Sequence, residues 1–501
     1  MAASQYDFGL DHNALAASVA HLGRAHAVSA RLRRGLPLKV GILGASVAQN
    51  AGCFSQPGQR CMSFNGQGRG RKKGFAVRFI EAINQSWPHA QHELFNGAMD
   101  ATPAQQMYPC LFTYLPPDVH IAILEFGSMA PWLHLGAAEA IVRRLLRLRP
   151  SPAIVFLTVR RFCKKNAAAG KLKKVWRSAE TGMVRICAHY NVSCLSLGNA
   201  VADGMSANRS GYTMRDVAAD CLHPATGKHG SAHMTDLLMN WLLREAGDGS
   251  TLVESASLPS PLYSKMSADM ATVLSGKTAR CYSLGHQGEH APSRSKRAVA
   301  WRTASCSMSK GSTANAVAWP PNGCSVFAYE RKACASYSSA ASLRGLWAYC
   351  YTSLPLTEDL LLQPGVTRKV SPGLVAVAPG ALLHLTIDTR LASNMDYADK
   401  DYARSKLLVS IDYLTSFERA GVVRVSCTHG CTCAETRVDA HRAGQAASVF
   451  EDLILNVDGS SAECGLQLLV LNETSSGGHK FKVRQVKVSH VEQASPKLMT
   501  G

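Results

Sequence analysis

No stretch of this chain approaches the ~18 consecutive apolar residues of a membrane span. The first 40 residues also read as lacking a secretory signal: Met1 to Leu10 is polar and acidic, and the apolar residues that follow are interrupted by His and Arg. Acidic residues are scarce, 35 against 54 Lys and Arg, which leaves a net charge of +19. Only 18% of the 501 residues are charged and 46% are hydrophobic, a balance that excludes a disordered chain. The length suits two or three domains, and no repeat of fixed period points to a solenoid. The excess of cations favours acidic partners, or is simply a basic surface without a dedicated one. The densest basic stretch is Arg69-Gly70-Arg71-Lys72-Lys73, and a second is Arg143, Arg144, Arg147 and Arg149 on a helix. Both suit a polyanion or a membrane surface. Neither has interleaved aromatics and no zinc finger is present, so nucleic acid is not an expected partner.

Cysteine, by contrast, is plentiful: 16 residues, nine of them after residue 280. The even total and the clustering suit disulfides and an oxidising compartment. Four glycosylation sequons begin at Asn84, Asn191, Asn208 and Asn472 and point the same way. The expected location is therefore the secretory pathway lumen (Golgi) or the extracellular space. Cys53 and Cys61 are spaced to pair across a loop. The set Cys427, Cys431, Cys433, His429 and Cys464 reads as disulfides or as a metal site, and the spacing fits zinc poorly.

From Leu38 to about Glu245, short apolar runs alternate with longer amphipathic ones. Strands are expected at Leu38–Leu43, His92–Phe95, Val119–Phe126, Ala153–Val159 and Val192–Leu197. Helices are expected at Phe75–Trp87, Pro103–Tyr114, Leu133–Leu148, Lys171–His189 and Lys228–Arg244. Continuous apolar strands separated by helices predict a parallel sheet covered on both faces. Residues 1–37 add a helix from Asn13 to Arg33, and residues 246–300 read as a linker. Beyond residue 300 short strands recur, at Leu382–Ile387, Lys406–Tyr413, Val422–Cys427, Phe450–Val457, Leu466–Leu471 and Lys480–Val488. They predict a sandwich or jelly roll over residues 301–492.

Three short stretches carry chemistry. Gly44-Ala45-Ser46 puts a hydroxyl on the turn after the first strand, at the edge where open α/β sheets bind ligands. The same serine would also serve as a helix cap. Gly97, after the second strand, has a backbone N–H with no side chain in the way, or is an ordinary strand-end turn. Asp220-Cys221-Leu222-His223-Pro224 places a carboxylate within reach of an imidazole, as a base for a nucleophilic serine requires. A surface histidine beside a capping aspartate has the same spacing. His120 reads as a strand-end residue, and Trp132 and His134 as pocket lining or packing.

Taken together, these stretches resemble the SGNH (GDSL-type) hydrolase family over about residues 36–245. The resemblance implies a three-layer α/β/α, flavodoxin-like domain (38–245) that hydrolyses or transfers acyl esters without metal or organic cofactor. It implies Ser46 as nucleophile, His223 as base and Asp220 as its orienter, with the N–H groups of Ser46 and Gly97 receiving the oxyanion. The family's Gly-Asp-Ser is here Gly-Ala-Ser. A larger departure lies in Glu125-Phe126-Gly127-Ser128-Met129-Ala130, where Met129 stands in place of the family's oxyanion asparagine. A thioether donates no hydrogen bond, and losing one such donor costs ~10²–10³ in turnover. Ser128 substitutes if its hydroxyl points inward; Ser128, Met129 and Trp132 are the expected substrate-binding residues. The arrangement also looks like a two-domain branch of this family found in plants, algae and fungi. Supporting residues are Gly52-Cys53, Pro116-Pro117-Asp118, Ser416-Phe417-Glu418, the Cys427–Cys433 run and Asn472-Glu473-Thr474-Ser475. That implies an O-acylated substrate, small molecule or polysaccharide. The alternative is an SGNH scaffold that binds a glycan or ester without turning it over.

Overall fold

The computed structural model describes residues 6–23, 26–56, 59–60, 73–88, 92–162, 168–226, 229–247, 258–263, 279–283, 301–303, 348–352, 370–390, 405–445 and 448–492. The chain divides into two units, 1–266 and 267–501.

The first unit is built on a six-stranded sheet. In chain order its strands and main helices are α1 (His12–Ser18), β1 (Val19–His21), α2 (His26–Arg33), β2 (Lys39–Gly44), α3 (Phe75–Ser86), β3 (Glu93–Asn96), β4 (Ile121–Glu125), α4 (Leu135–Leu146), β5 (Ala153–Thr158), α5 (Ala168–Tyr190), β6 (Ser193–Ser196) and α6 (His229–Gly247). The sheet order is β1-β6-β5-β4-β2-β3. The five strands from β2 to β6 are parallel, and β1 joins antiparallel to β6. The middle strands β4 and β5 are apolar nearly throughout because both their faces are covered, every residue of each being buried. One face packs Val40, Ile42, Ile123 and Val155 against Val28 and Leu32 of α2, Phe79 of α3 and Leu238 and Trp241 of α6. The strand residues that alternate to the other side, such as Leu43 and Leu124, are equally buried, as are Ile141 of α4 and Ile186 of α5.

Two expected helices are interrupted. The single helix expected over Asn13–Arg33 is two, with β1 between them, because Val19 and His21 find partners on the free edge of β6. The helix expected over Pro103–Tyr114 breaks into short turns at 104–107, 108–110 and 111–114, since Pro109 has no N–H to give a helical ladder.

The expected linker, 246–300, is also divided. Residues 258–263 lie on the first unit: the buried carboxylate of Glu139 accepts the N–H groups of Leu262 at 2.6 Å and Tyr263 at 2.9 Å, and Arg143 donates to the Pro259 carbonyl. Ala279–Ser283, in contrast, is a strand of the second unit, paired with Phe481–Glu492.

That second unit is two antiparallel sheets. One runs Trp301–Thr303, Leu382–Ile387, Cys464–Val470, Val422–His429, Thr436–Asp439; the larger centres on Phe481–Glu492, Ser405–Thr415 and Val449–Asp458. Alternate residues of both, including Leu385, Val425 and Leu468 from one and Val409, Ile411, Leu455 and Val486 from the other, share a single apolar core. This is the expected β-sandwich. Two disulfides, Cys427–Cys433 and Cys431–Cys464, cross its rim, so the clustered cysteines pair with one another. In the first unit Cys187–Cys194 ties α5 to β6. Cys53, Cys110 and Cys221 are also disulfide-bonded. Cys61, the expected partner of Cys53, lies outside the described residues.

Candidate active site

β2 delivers Ser46 to the carboxyl edge of the sheet. The chain after it winds into one helical turn, with Gln49 N–H donating to Ala45 O and Ala51 N–H to Ser46 O, so the serine sits at the start of that turn and is only 8% exposed.

His223 arrives from the loop before α6. That loop is closed at its neck by Ala219 N–H to His223 O and Ala225 N–H to Val217 O, each 2.8 Å, and held at its tip by Phe162 N–H to Cys221 O. Gly52 packs against its far side: a Cβ there would stand 1.8 Å from the Pro224 carbonyl. Inside the loop, Asp220 Oδ1 accepts the N–H groups of Leu222 and His223, both at 2.8 Å, while Oδ2 takes His223 Nδ1 at 2.7 Å. With Nδ1–H donated to Asp220, Nε2 is left as an acceptor, 2.8 Å from Ser46 Oγ. Burial works to raise the Asp220 carboxyl, but the His223 hydrogen bond and charge and the two backbone donors outweigh it and hold the group well below the usual carboxylate range. The structure thus brings Ser46, His223 and Asp220 into one relay.

The side expected to receive the oxyanion differs from expectation at Gly97 and Ser128. The N–H of Gly97 is not available, because it continues the parallel ladder by donating to Ile42 O at 2.9 Å. Its glycine has a packing reason, since a Cβ would lie 2.0 Å from the Tyr114 carbonyl. Ser128 also turns away: its N–H and hydroxyl both go to Glu125, each at 3.0 Å, and the residue is buried. Met129 is buried in the 3₁₀ turn Gly127–Trp132, with its N–H given to Phe126 O. Trp132, half-buried, ends that turn and accepts Gln105 Nε2 on its carbonyl, while His134 is exposed. Beyond them Ala130, Leu133, Trp176, Ala179 and Leu222 form a small apolar cluster bridging that turn and the loop that carries His223.

One residue of the loop after β3 was missed. Ala101 has φ 55°, a left-handed conformation unusual for alanine, costing ~1–2 kcal/mol. Among the described residues, neither its N–H nor that of Ser46 has a protein acceptor. The loop is laced to the Ser46 turn by Met99 N–H to Gly44 O, Asn96 Nδ2 to Ala48 O and Gln49 Nε2 to Ala98 O. Nothing in the sequence marks an alanine for positive φ. Glu125 was missed as well, although an acid ending an otherwise apolar strand is a visible signal; burial pushes its carboxyl up to about 8.

Other candidates are structural. His120 lies at the opposite, amino edge of the sheet, where its Nδ1 accepts Lys39 N–H; burial, then Arg31 and Lys39, bring it down to about 4. Of the basic stretches, Arg143 binds Tyr190 and the 258–263 segment, Arg144 lies over the rings of Tyr108 and Phe112, and Lys73 pairs with Glu81. Arg69 to Lys72 lie outside the described residues.

No protein-family profile and no curated protein matches the chain. Solved structures do. A two-domain esterase (CEX) active on acetylated mannans superposes with a TM-score of 0.53 and 14% identity, covering 96% of this chain and 99% of the other. The same esterase co-crystallised with mannopentaose gives 0.52, with 98% and 100% covered. An acetylxylan esterase from Geobacillus stearothermophilus covers 42% of this chain and 94% of its own, with 14% identity and a TM-score of 0.29. The likeness to the two-domain esterase extends over both units. It establishes the fold: a three-layer α/β unit followed by a β-sandwich.

Proposed function

We propose that this protein is a serine esterase that removes acyl groups from O-acylated carbohydrate. The observation that carries the reading is the relay Asp220 Oδ2–His223 Nδ1, 2.7 Å, and His223 Nε2–Ser46 Oγ, 2.8 Å. Ser46 Oγ attacks the acyl carbon as its proton passes to Nε2; Asp220 holds the ring in the required tautomer and stabilises the imidazolium. The imidazolium then gives that proton to the departing sugar oxygen. Water, deprotonated by the same nitrogen, releases the acid and restores Ser46. The N–H groups of Ser46 and Ala101 receive the oxyanion, in place of the Ser46 and Gly97 pair expected from sequence. The full-length likeness to an esterase active on acetylated mannans supports an acetylated polysaccharide as substrate. The bonded cysteines support an oxidising compartment.

Met129 favours a second reading, a scaffold that binds an ester without cleaving it. A fluorophosphonate probe separates the two. Labelling of the wild type that Ser46→Ala abolishes, with acetate released from acetylated mannan, establishes the esterase; absence of labelling leaves the binding protein.

A further inference from the structure

Glu125 has no part in the relay, yet it is the most deeply placed carboxyl near it. It ends β4, directly beside β2, in register with Gly44, and is 0% exposed. Its backbone carbonyl accepts Ala45 N–H at 3.3 Å, one residue before the nucleophile. Its side chain spans to the other turn, Oε1 taking Ser128 N–H and Oε2 lying 3.0 Å from Ser128 Oγ, which accepts the proton of the acid form and donates to Oε2 in the carboxylate form. One residue therefore fastens the turn that carries Ser46 to the turn that carries Met129.

We propose that Glu125 is a positioning residue for Ser46, that it does this as the uncharged acid, and that its ionisation shuts the site down. This rests on the serine-esterase reading above. The physical argument is charge. The reaction builds a negative oxygen beside Ser46, and a carboxylate buried behind the same turn opposes that charge through a medium that screens poorly. Among the described residues, the strands on either side of it (40–44 and 153–158) and the turns it touches (45–48 and 127–132) contain no charged residue, and the titratable groups joined to the Ser46 turn are His223 and Asp220. Burial raises Glu125 to about 8; the N–H and hydroxyl of Ser128 and the N–H groups of Ala45 and Ala48 favour the charged form but do not win. The acid is thus neutral at pH 7 and charged on the alkaline side.

The test is the rate of fluorophosphonate labelling against pH, in wild type, Glu125→Gln and Glu125→Ala. Gln keeps the shape and the neutral charge. We expect wild-type labelling to fall about ten-fold between about pH 7 and 9, the change in the neutral fraction of a group titrating near 8. The Gln variant should show no such fall relative to its own rate at pH 7, and the Ala variant should label more slowly than Gln throughout. A second readout needs no activity. The folded value lies above the ordinary carboxyl value of an unfolded chain, so stability is full below the latter and declines as pH rises to about 8. Thermal melts of the Gln variant should lack that decline. Wild-type labelling without an alkaline fall, or a Gln variant that keeps the fall, overturns the proposal alone. Wild type that never labels overturns the esterase reading and the proposal with it.

Discussion

The two sides of Ser46 are built very differently. On the side of the base, the loop 218–225 is closed at its neck, its aspartate takes three hydrogen bonds from Leu222 and His223, and the histidine has a partner on each nitrogen. On the side expected to hold the oxyanion, Ser128 and Met129 of the turn 127–132 turn their donors backward, to Glu125 and Phe126, and a thioether stands where an amide is expected. On the esterase reading proposed above, the nucleophile has its whole relay, while the charge it creates is met by backbone alone. Activation and oxyanion binding contribute separately to rate, so a site can be complete in one and sparse in the other.

Substitutions on each side put that contrast to the test. The largest effect belongs to Ser46→Ala, which should cut turnover of an acetyl ester by about 10⁶; residual hydrolysis above that level would mean another nucleophile is at work. Asp220→Asn leaves the loop in place but hands His223 the wrong tautomer, and kcat should drop about 10⁴-fold with little change in KM. Met129→Asn works in the opposite direction. If the turn is one donor short, kcat should rise by as much as ~10²-fold; no gain would show that Ala101 and Ser46 already saturate the oxyanion. Gly52→Ala probes the support rather than the chemistry. Its Cβ would collide with the Pro224 carbonyl at 1.8 Å, and thermal melts should show a loss of about 1–3 kcal/mol accompanied by slower labelling.

The same contrast marks what could be read from the sequence. The strands of the parallel sheet were legible because each is a continuous apolar run, and Asp220 and His223 were legible because three residues of one loop suffice to bring them together. The sandwich strands were legible from their alternation. The oxyanion side was not. Gly97 looked like a donor because it is a glycine after a strand, whereas its N–H is consumed by pairing with Ile42, and the left-handed backbone falls on Ala101, a residue with no preference for it. Ser128 could be named, but which way its hydroxyl points depends on the burial of Glu125. The break between α1 and α2 escaped for a similar reason. It is made by an edge of β6 some 170 residues away, where Gly23 N–H meets the Ser193 hydroxyl.

The grip of Glu139 on residues 262 and 263 bears on how the α/β unit can be produced by itself. The last helix ends at Gly247, the obvious place to cut. A fragment ending there loses both main-chain donors of a carboxylate only 2% exposed, leaving it the Tyr190 hydroxyl as its remaining described partner. An unmet buried acceptor of this kind costs ~1–3 kcal/mol. A fragment carried through Tyr263 keeps those bonds and should be the better-behaved, more soluble piece.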